Sequence, residues 1–172
     1  MILKRLFNRA PPAERRCYEA IVAAARHPAF YAQWGVPDTL DGRFDMIALH
    51  TFLVLDRLKG VEADFRQRLV DEFFSDMDRS LRELGVGDIS VGKKVRKMAE
   101  VFYGRVAAYD AALAGETGAL AAALARNVFP DDPAAAGILP LAAHMRDQRR
   151  HLAAQDAGAI AGGQPVFKEP KP

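Results

Sequence analysis

Three groups of residues carry types and spacings that chemistry can use. His144, Asp147 and His151 stand at i, i+3 and i+7, which on a helix lays two imidazoles and a carboxylate along one face, as a divalent metal would need. No second helix offers a Glu-x-x-His pattern to complete such a site, so exposed polar residues are the simpler reading, and neither a metal nor another cofactor is expected. Asp38, Asp41 and Arg43 lie close enough for acid–base work. Capping of the following helix plus a local ion pair accounts for them more simply, because Asp is a preferred capping residue. The run Gly85-Val-Gly-Asp-Ile-Ser-Val-Gly92 has the glycines of a phosphate-cradling loop but lacks its Gly-Lys-Ser/Thr ending, and no strand precedes it. Glycines at a helix–helix corner, with Ser90 capping the next helix, suffice. No nucleophile–base pair can be assembled, so an enzyme is not expected.

The elements that must position these residues read as helices. At 100° per residue, Phe44, Ile47, Ala48, Thr51, Val54, Leu55 and Leu58 fall on an uncharged arc of roughly 120°. The opposite side is mixed, with Asp45, Leu49, Phe52 and Asp56 beside Met46, His50, Leu53 and Arg57. A segment this apolar needs neighbours on more than one side, which makes it the central helix, ~22 Å long. Pro11 and Pro12 open a helix that runs to about His27 and stops at Pro28. A surface helix spans Glu62 to Leu84, ended by Gly85, with Arg68/Glu72, Asp78/Arg82 and Arg79/Glu83 at ion-pair spacing. The next runs from Val91 to Ala114 with Val91, Val95, Met98, Phe102, Val106, Tyr109 and Leu113 inward. A short helix covers Thr117 to Phe129, and Asp132-Pro133 opens a last one to about Gln155 that Pro140 kinks or splits.

The chain has 172 residues, half of them hydrophobic, which is enough for one sizeable core. We therefore expect an all-α, single-domain bundle of about six to seven helices over residues 1–157, with a basic N-terminal segment 1–12 and a disordered Gly-, Pro- and Lys-rich tail 158–172. Cys17 is the single cysteine, so no intrachain disulfide can form. A net charge of +2 is too small for wholesale nucleic-acid binding, and DNA is not an expected partner. No run of apolar residues is long enough for a membrane span and no secretory signal is evident, so a cytoplasmic location is expected, with possible peripheral contact at the inner membrane's cytoplasmic face. Met1 to Phe7, apolar and basic in alternation, suits either a docked or frayed terminus or an anionic membrane surface.

Two blocks carry a further signal. They are Trp34-Gly-Val-Pro-Asp-Thr-Leu-Asp-Gly-Arg-Phe-Asp-Met46 followed by Leu49-His-Thr-Phe-Leu53, and Phe73-Phe-Ser-Asp-Met-Asp-Arg-Ser-Leu-Arg-Glu-Leu-Gly-Val-Gly-Asp88 continuing through Val91-Gly-Lys-Lys-Val-Arg-Lys-Met98 to Phe102-Tyr-Gly-Arg105. Over roughly residues 14 to 129 the chain resembles the ubiquinol-cytochrome c chaperone family. The resemblance implies an all-helical assembly factor for the respiratory ubiquinol-cytochrome c reductase, acting on newly made cytochrome b near the membrane. Mitochondrial members work with a second assembly factor near the ribosome's exit. The sequence shows no long Arg- and Ser-rich presequence, so a bacterial version is expected, and residues past Phe129 take no support from the motifs.

On this basis Asp45, Leu49, His50, Phe52, Leu53 and Arg57 are expected to form an amphipathic surface that receives a client's transmembrane segment. In the competing reading the bundle's own helices bury those apolar groups, and Arg43, Asp45, Arg57, Asp78, Arg82 and Asp88 form a polar framework between helices. Lys93, Lys94, Arg96 and Lys97 are expected to meet an anionic membrane or the ribosome. Gly104 and Ala108 make a strip that another helix, from a partner or from the same chain, can approach closely. A carrier of a quinone or lipid is the alternative function, since a helical bundle can enclose a cavity.

Overall fold

The structure, a computed structural model, describes residues 10–171. The basic residues Lys4, Arg5 and Arg9 and the Met1–Phe7 segment lie outside the described residues. Among those described, the architecture is entirely helical: α1 (Ala13–Ala25), α2 (Pro28–Ala32), α3 (Leu40–Arg57), α4 (Ala63–Glu83), α5 (Asp88–Ala114), α6 (Ala119–Asn127), α7 (Ile138–Ala153) and α8 (Ala157–Ala161). Six of these are full helices, and α2 and α8 are five-residue turns of helix.

Helix α3 is the axis of the molecule. Every residue from Phe44 to Leu55 is buried, because α1, α5 and α7 all pack on it. The mixed face seen in the sequence is thus covered nearly as fully as the apolar arc, with only Asp56 and Arg57 at its C-terminal end half-buried. Helix α4 closes the layer over α1 and α5, and α6 bridges α5 to α7. The aromatic core runs through Phe44, Phe73 and Phe102, with the Phe73 and Phe102 ring centroids 4.9 Å apart. Burying each such ring contributes about 1.5–3 kcal/mol.

Local chemistry sets the boundaries, with some departures from expectation. The α3 cap is neither Asp38 nor Asp41: the Thr39 hydroxyl accepts from the Gly42 amide at 3.1 Å, while Asp38 holds Arg43 at 2.7 Å. Pro28 does more than end α1. It sits at the first position of α2, where its missing amide hydrogen is no loss. Helix α5 starts at Asp88 after Gly87 with no side-chain cap, so Ser90 lies inside the first turn. Residues 131–137 form turns, and α7 begins at Ile138 with Pro140 in its first turn, where proline is tolerated.

The segment after Gly158, expected to be disordered, is laid down on the bundle. Ile160 is fully buried. The Val166 amide donates to Gln155 Oε1 at 2.9 Å and Gln155 Nε2 returns a bond to the Val166 carbonyl at 2.7 Å. Gln148 does the same for Lys168, accepting from its amide at 3.1 Å and donating to its carbonyl at 2.5 Å. Two side-chain amides thus stand in for a partner strand, a device that composition does not reveal.

Candidate functional site

The receiving surface expected on α3 is closed. Leu49, His50 and Leu53 are fully buried and Phe52 and Asp45 nearly so, because the helices packed on α3 cover both of its sides. His50 bonds to the Met46 carbonyl through Nδ1 at 2.7 Å, and its ring lies among Phe30, His144 and Phe167. Arg57 is spent on structure: Nε and Nη2 donate to the carbonyls of Leu152 and Gln155, at 3.0 and 2.6 Å, at the end of α7. These are carbonyls that a helix terminus leaves without internal partners. The polar-framework reading holds for Arg57 and for Asp45 with Arg105, which tie helices together; Arg43 with Asp38 and Arg82 with Asp78 are instead exposed local pairs, and Arg82 reaches Asp88 only across the exposed α4–α5 corner. Of the ion pairs spaced along α4, Asp78/Arg82 forms, whereas Arg68 reaches Glu14 and Arg79 reaches Asp76.

An open recess of about 480 Å³ lies beside the first turns of α3. Its apolar lining is Leu40, Phe44, Leu81, Met98 and Val101, and its charged lining is Asp41, Asp45, Lys94, Lys97, Arg105 and Arg126. Three helices and the end of a fourth build it. Helix α5 contributes Lys94, Lys97, Met98, Val101 and Arg105, which at i, i+3, i+4, i+7 and i+11 share one helical face. That spacing is legible in the sequence, and Arg105 closes one of the family-like blocks, although the mixed side of α3 is the more conspicuous pattern. Arg126 arrives from the last turn of α6.

One inner wall of the recess carries a tightly held polar pair. Arg105 Nη1 lies 2.6 Å from Asp45 Oδ1, Nη2 donates to the Asn127 carbonyl at 3.3 Å, and the guanidinium stands 5.4 Å above the Phe44 ring. Burial pushes the Asp45 carboxyl up to about 7 despite the nearby guanidinium, and Asp41 pushes the same way. Asp45 therefore carries only part of a negative charge near neutrality, and the recess is cationic with an apolar floor.

The remaining candidates separate. Lys93, Lys94, Arg96 and Lys97 are all exposed, and Lys97 reaches Glu100 at 3.2 Å. Among the described residues nothing lies within 4 Å of where a Cβ of Gly104 would stand, so none of the described helices approaches it closely, and Ala108 is half-buried. His144, Asp147 and His151 are not gathered as metal donors: His144 Nε2 faces the Gln148 amide at 3.1 Å, and Asp147 is held by Lys168 and Arg150 at 2.9 and 3.0 Å. No group of three or more His, Cys, Asp or Glu among the described residues is placed to hold a metal. Two further clefts flank the C-terminal half of α3: one of about 420 Å³ with a mainly apolar lining that includes Phe52, Leu55, Val70 and Phe102 beside Asp56, Lys59, Arg66 and Asp110, and one of about 780 Å³ lined mainly by charged residues.

The model of the ubiquinol-cytochrome C chaperone family matches residues 32–167. The chain belongs to this family. The match continues well past Phe129, so α7 and the tail are part of the family domain, which the sequence motifs alone did not indicate. The chain is 29% identical over 127 residues to the ubiquinol-cytochrome-c reductase complex assembly factor 1 of Xenopus laevis, covering 70% of this chain and 64% of that protein. It is 29% identical over 106 residues to Protein CBP3, mitochondrial, of Saccharomyces cerevisiae, covering 58% and 32%. The chain thus spans less than two thirds of these relatives. The crystal structure of the Cbp3 homolog from Brucella abortus superposes with a TM-score of 0.82 at 46% identity, over 91% of this chain and 89% of that one.

Proposed function

We propose that this chain is an assembly chaperone for ubiquinol-cytochrome c reductase, and that it holds an apolar segment of newly made cytochrome b across the recess beside α3. The observation that carries the reading is that recess, an apolar floor with a cationic rim on a chain of this family. Its volume admits a few side chains, not a whole helix, so the client helix lies across the mouth and seats one stripe on Leu40, Phe44, Met98 and Val101. Lys94, Lys97 and Arg126 then meet the polar end of that segment or the lipid phosphates around it. The role is non-catalytic and asks only for reversible binding. Lys93, Lys94, Arg96 and Lys97 keep the chaperone peripheral at an anionic membrane, on the cytoplasmic face, and a second assembly factor has the open strip at Gly104 and Ala108 available to it. No helix among the described residues is long and apolar enough to cross a membrane.

Photo-crosslinking from positions 40 and 98 in cells tests the client. Adducts with cytochrome b, together with loss of cytochrome b and of assembled reductase on gene deletion, are expected. Normal reductase assembly in the deletion strain ends the proposal. A lipid or quinone retained by the purified protein in native mass spectrometry, without cytochrome b adducts, favours the carrier instead.

A further inference from the structure

The corner between α4 and α5 presents the most exposed large apolar side chain among the described residues. Ile89 is 87% exposed and Leu84, five positions earlier, is 64% exposed. This is a built corner. Gly85 takes φ of 81°, its amide bonds to the Arg82 carbonyl at 2.9 Å, and the Val86 amide reaches back to the Leu81 carbonyl at 3.0 Å. That pair of bonds is the left-handed helix stop that glycine favours, and it fixes the direction in which α5 departs. On α5, Ile89, Lys93, Arg96 and Lys97 lie within about 100° of arc, on the side away from the buried Val91, Phe102 and Tyr109. The acidic groups nearby are Glu83, Asp88 and Glu100; Asp88 is held by Arg82 and Glu100 by Lys97. Lys93, Lys94 and Arg96 make no ion pair among the described residues.

We infer that this corner is a membrane-insertion tip: Leu84 and Ile89 enter the headgroup region of an anionic bilayer while Lys93, Lys94, Arg96 and Lys97 contact lipid phosphates one and two turns behind. The inference rests on the proposed peripheral role of the basic residues and deepens it, since charge alone gives a contact that salt dissolves, whereas an apolar tip gives one that persists. Charge complementarity selects a bilayer over a second copy of the chain, whose own corner carries the same four cations and would be repelled. An apolar tip selects it over RNA, which offers no hydrocarbon. The geometry also has a use. Lys94 and Lys97 belong both to the tip's collar and to the rim of the recess, so insertion brings the mouth of the recess to the bilayer surface, where a transmembrane segment is available.

The test labels Ile89→Cys with an environment-sensitive nitrobenzoxadiazole dye, using Val61→Cys as the control. Val61 is 46% exposed at the far end of α4, ~30 Å away. Cys17 stays silent, because it is fully buried and burial pushes its thiol up to about 12. With vesicles of phosphatidylcholine and phosphatidylglycerol, the dye at 89 is expected to blue-shift and to be quenched by brominated lipid tails, while the dye at 61 does neither. The double variant Leu84→Ser/Ile89→Ser should lose vesicle partitioning by roughly tenfold or more even in high salt. Charge reversal at Lys93, Lys94 and Lys97 should lose it at low salt, by roughly fivefold per side chain. Because the tip residues are exposed, the serine variant should melt like the wild type. Vesicle binding that vanishes in high salt, with the dye at 89 still in water, overturns the tip and leaves the basic contact standing. Failure of the wild type to bind vesicles, with or without binding to RNA, overturns both. A wild-type dimer that the serine variant converts to a monomer assigns the corner to a second copy and overturns the tip.

Discussion

Acidification from pH 7 to pH 5 is expected to weaken the fold through two histidines. His50 and His144 have ring centroids 6.3 Å apart in a pocket walled by Phe30, and burial holds both imidazoles down to about 4. In the unfolded chain they titrate near 6.5. Between those values the unfolded chain takes up protons that the folded chain refuses, so their contribution is fully present above pH 6.5 and is lost as the pH falls toward 4. Two and a half units of depression amount to about 2 kcal/mol per histidine between pH 7 and pH 5. Asp45 works in the opposite sense. Its folded value of about 7 exceeds the ordinary carboxylate value of 3.8, so the folded chain keeps a proton that the unfolded one releases, and acidification over the same range returns about 2 kcal/mol. The wild type should therefore lose only about 1–2 kcal/mol, and single variants separate the contributions. Urea denaturation followed by circular dichroism at both pH values should show His50→Phe nearly flat and Asp45→Asn losing about twice as much as the wild type. An unchanged pH dependence in His50→Phe would refute the assignment of the acid response to the buried imidazoles.

Other substitutions test other parts of the molecule. Arg105→Ala removes the partner of the buried Asp45 carboxyl, which then takes up a proton at neutral pH, so the loss of the pair and of the Asn127 carbonyl contact should destabilise by about 1–3 kcal/mol in the same assay. Gly137→Ala would drive a Cβ into the Trp34 backbone carbonyl, a contact that neither segment can easily yield, so a loss of about 1–3 kcal/mol is expected in thermal denaturation. Truncation after Gly163 removes the reciprocal bonds of Gln148 and Gln155 and lifts Phe167 off His50, so amide exchange at the end of α7 should accelerate and stability should fall by about 1–3 kcal/mol. Met98→Glu places a carboxylate in the recess from a half-buried position; cytochrome b adducts should fall severalfold while the melting temperature moves little.

The periodicities were readable because most helices here have one wet and one dry side. Helix α4, with Leu69, Phe73, Met77 and Leu81 inward and charge outward, was legible from spacing alone. Helix α3 was legible as central but misleading as a surface, since Asp45, His50 and Arg57 look solvent-facing in a linear reading. Asp45 instead meets Arg105 and Arg57 meets the terminal carbonyls of α7, both far away in sequence, while His50 bonds to the Met46 carbonyl one turn back and lies in the aromatic pocket of Phe30 and Phe167. Such pairings are set by tertiary contact, and one sequence carries no record of them. The tail misled for a related reason. A Gly- and Pro-rich composition argues against helix and sheet, yet glutamine side chains from α7 and its end can hold an extended chain without either.

The unbroken burial of α3 from Phe44 to Leu55 bears on how such a protein can work through many rounds of use. Amides along that spine are expected to exchange with solvent only when the whole bundle comes apart, whereas rims and corners should open on their own at far lower free energy. On the proposed chaperone role, a guest polypeptide that wedged itself between α3 and its neighbours would melt its host. Loading and discharge would therefore proceed at the periphery, over a keel that keeps its shape.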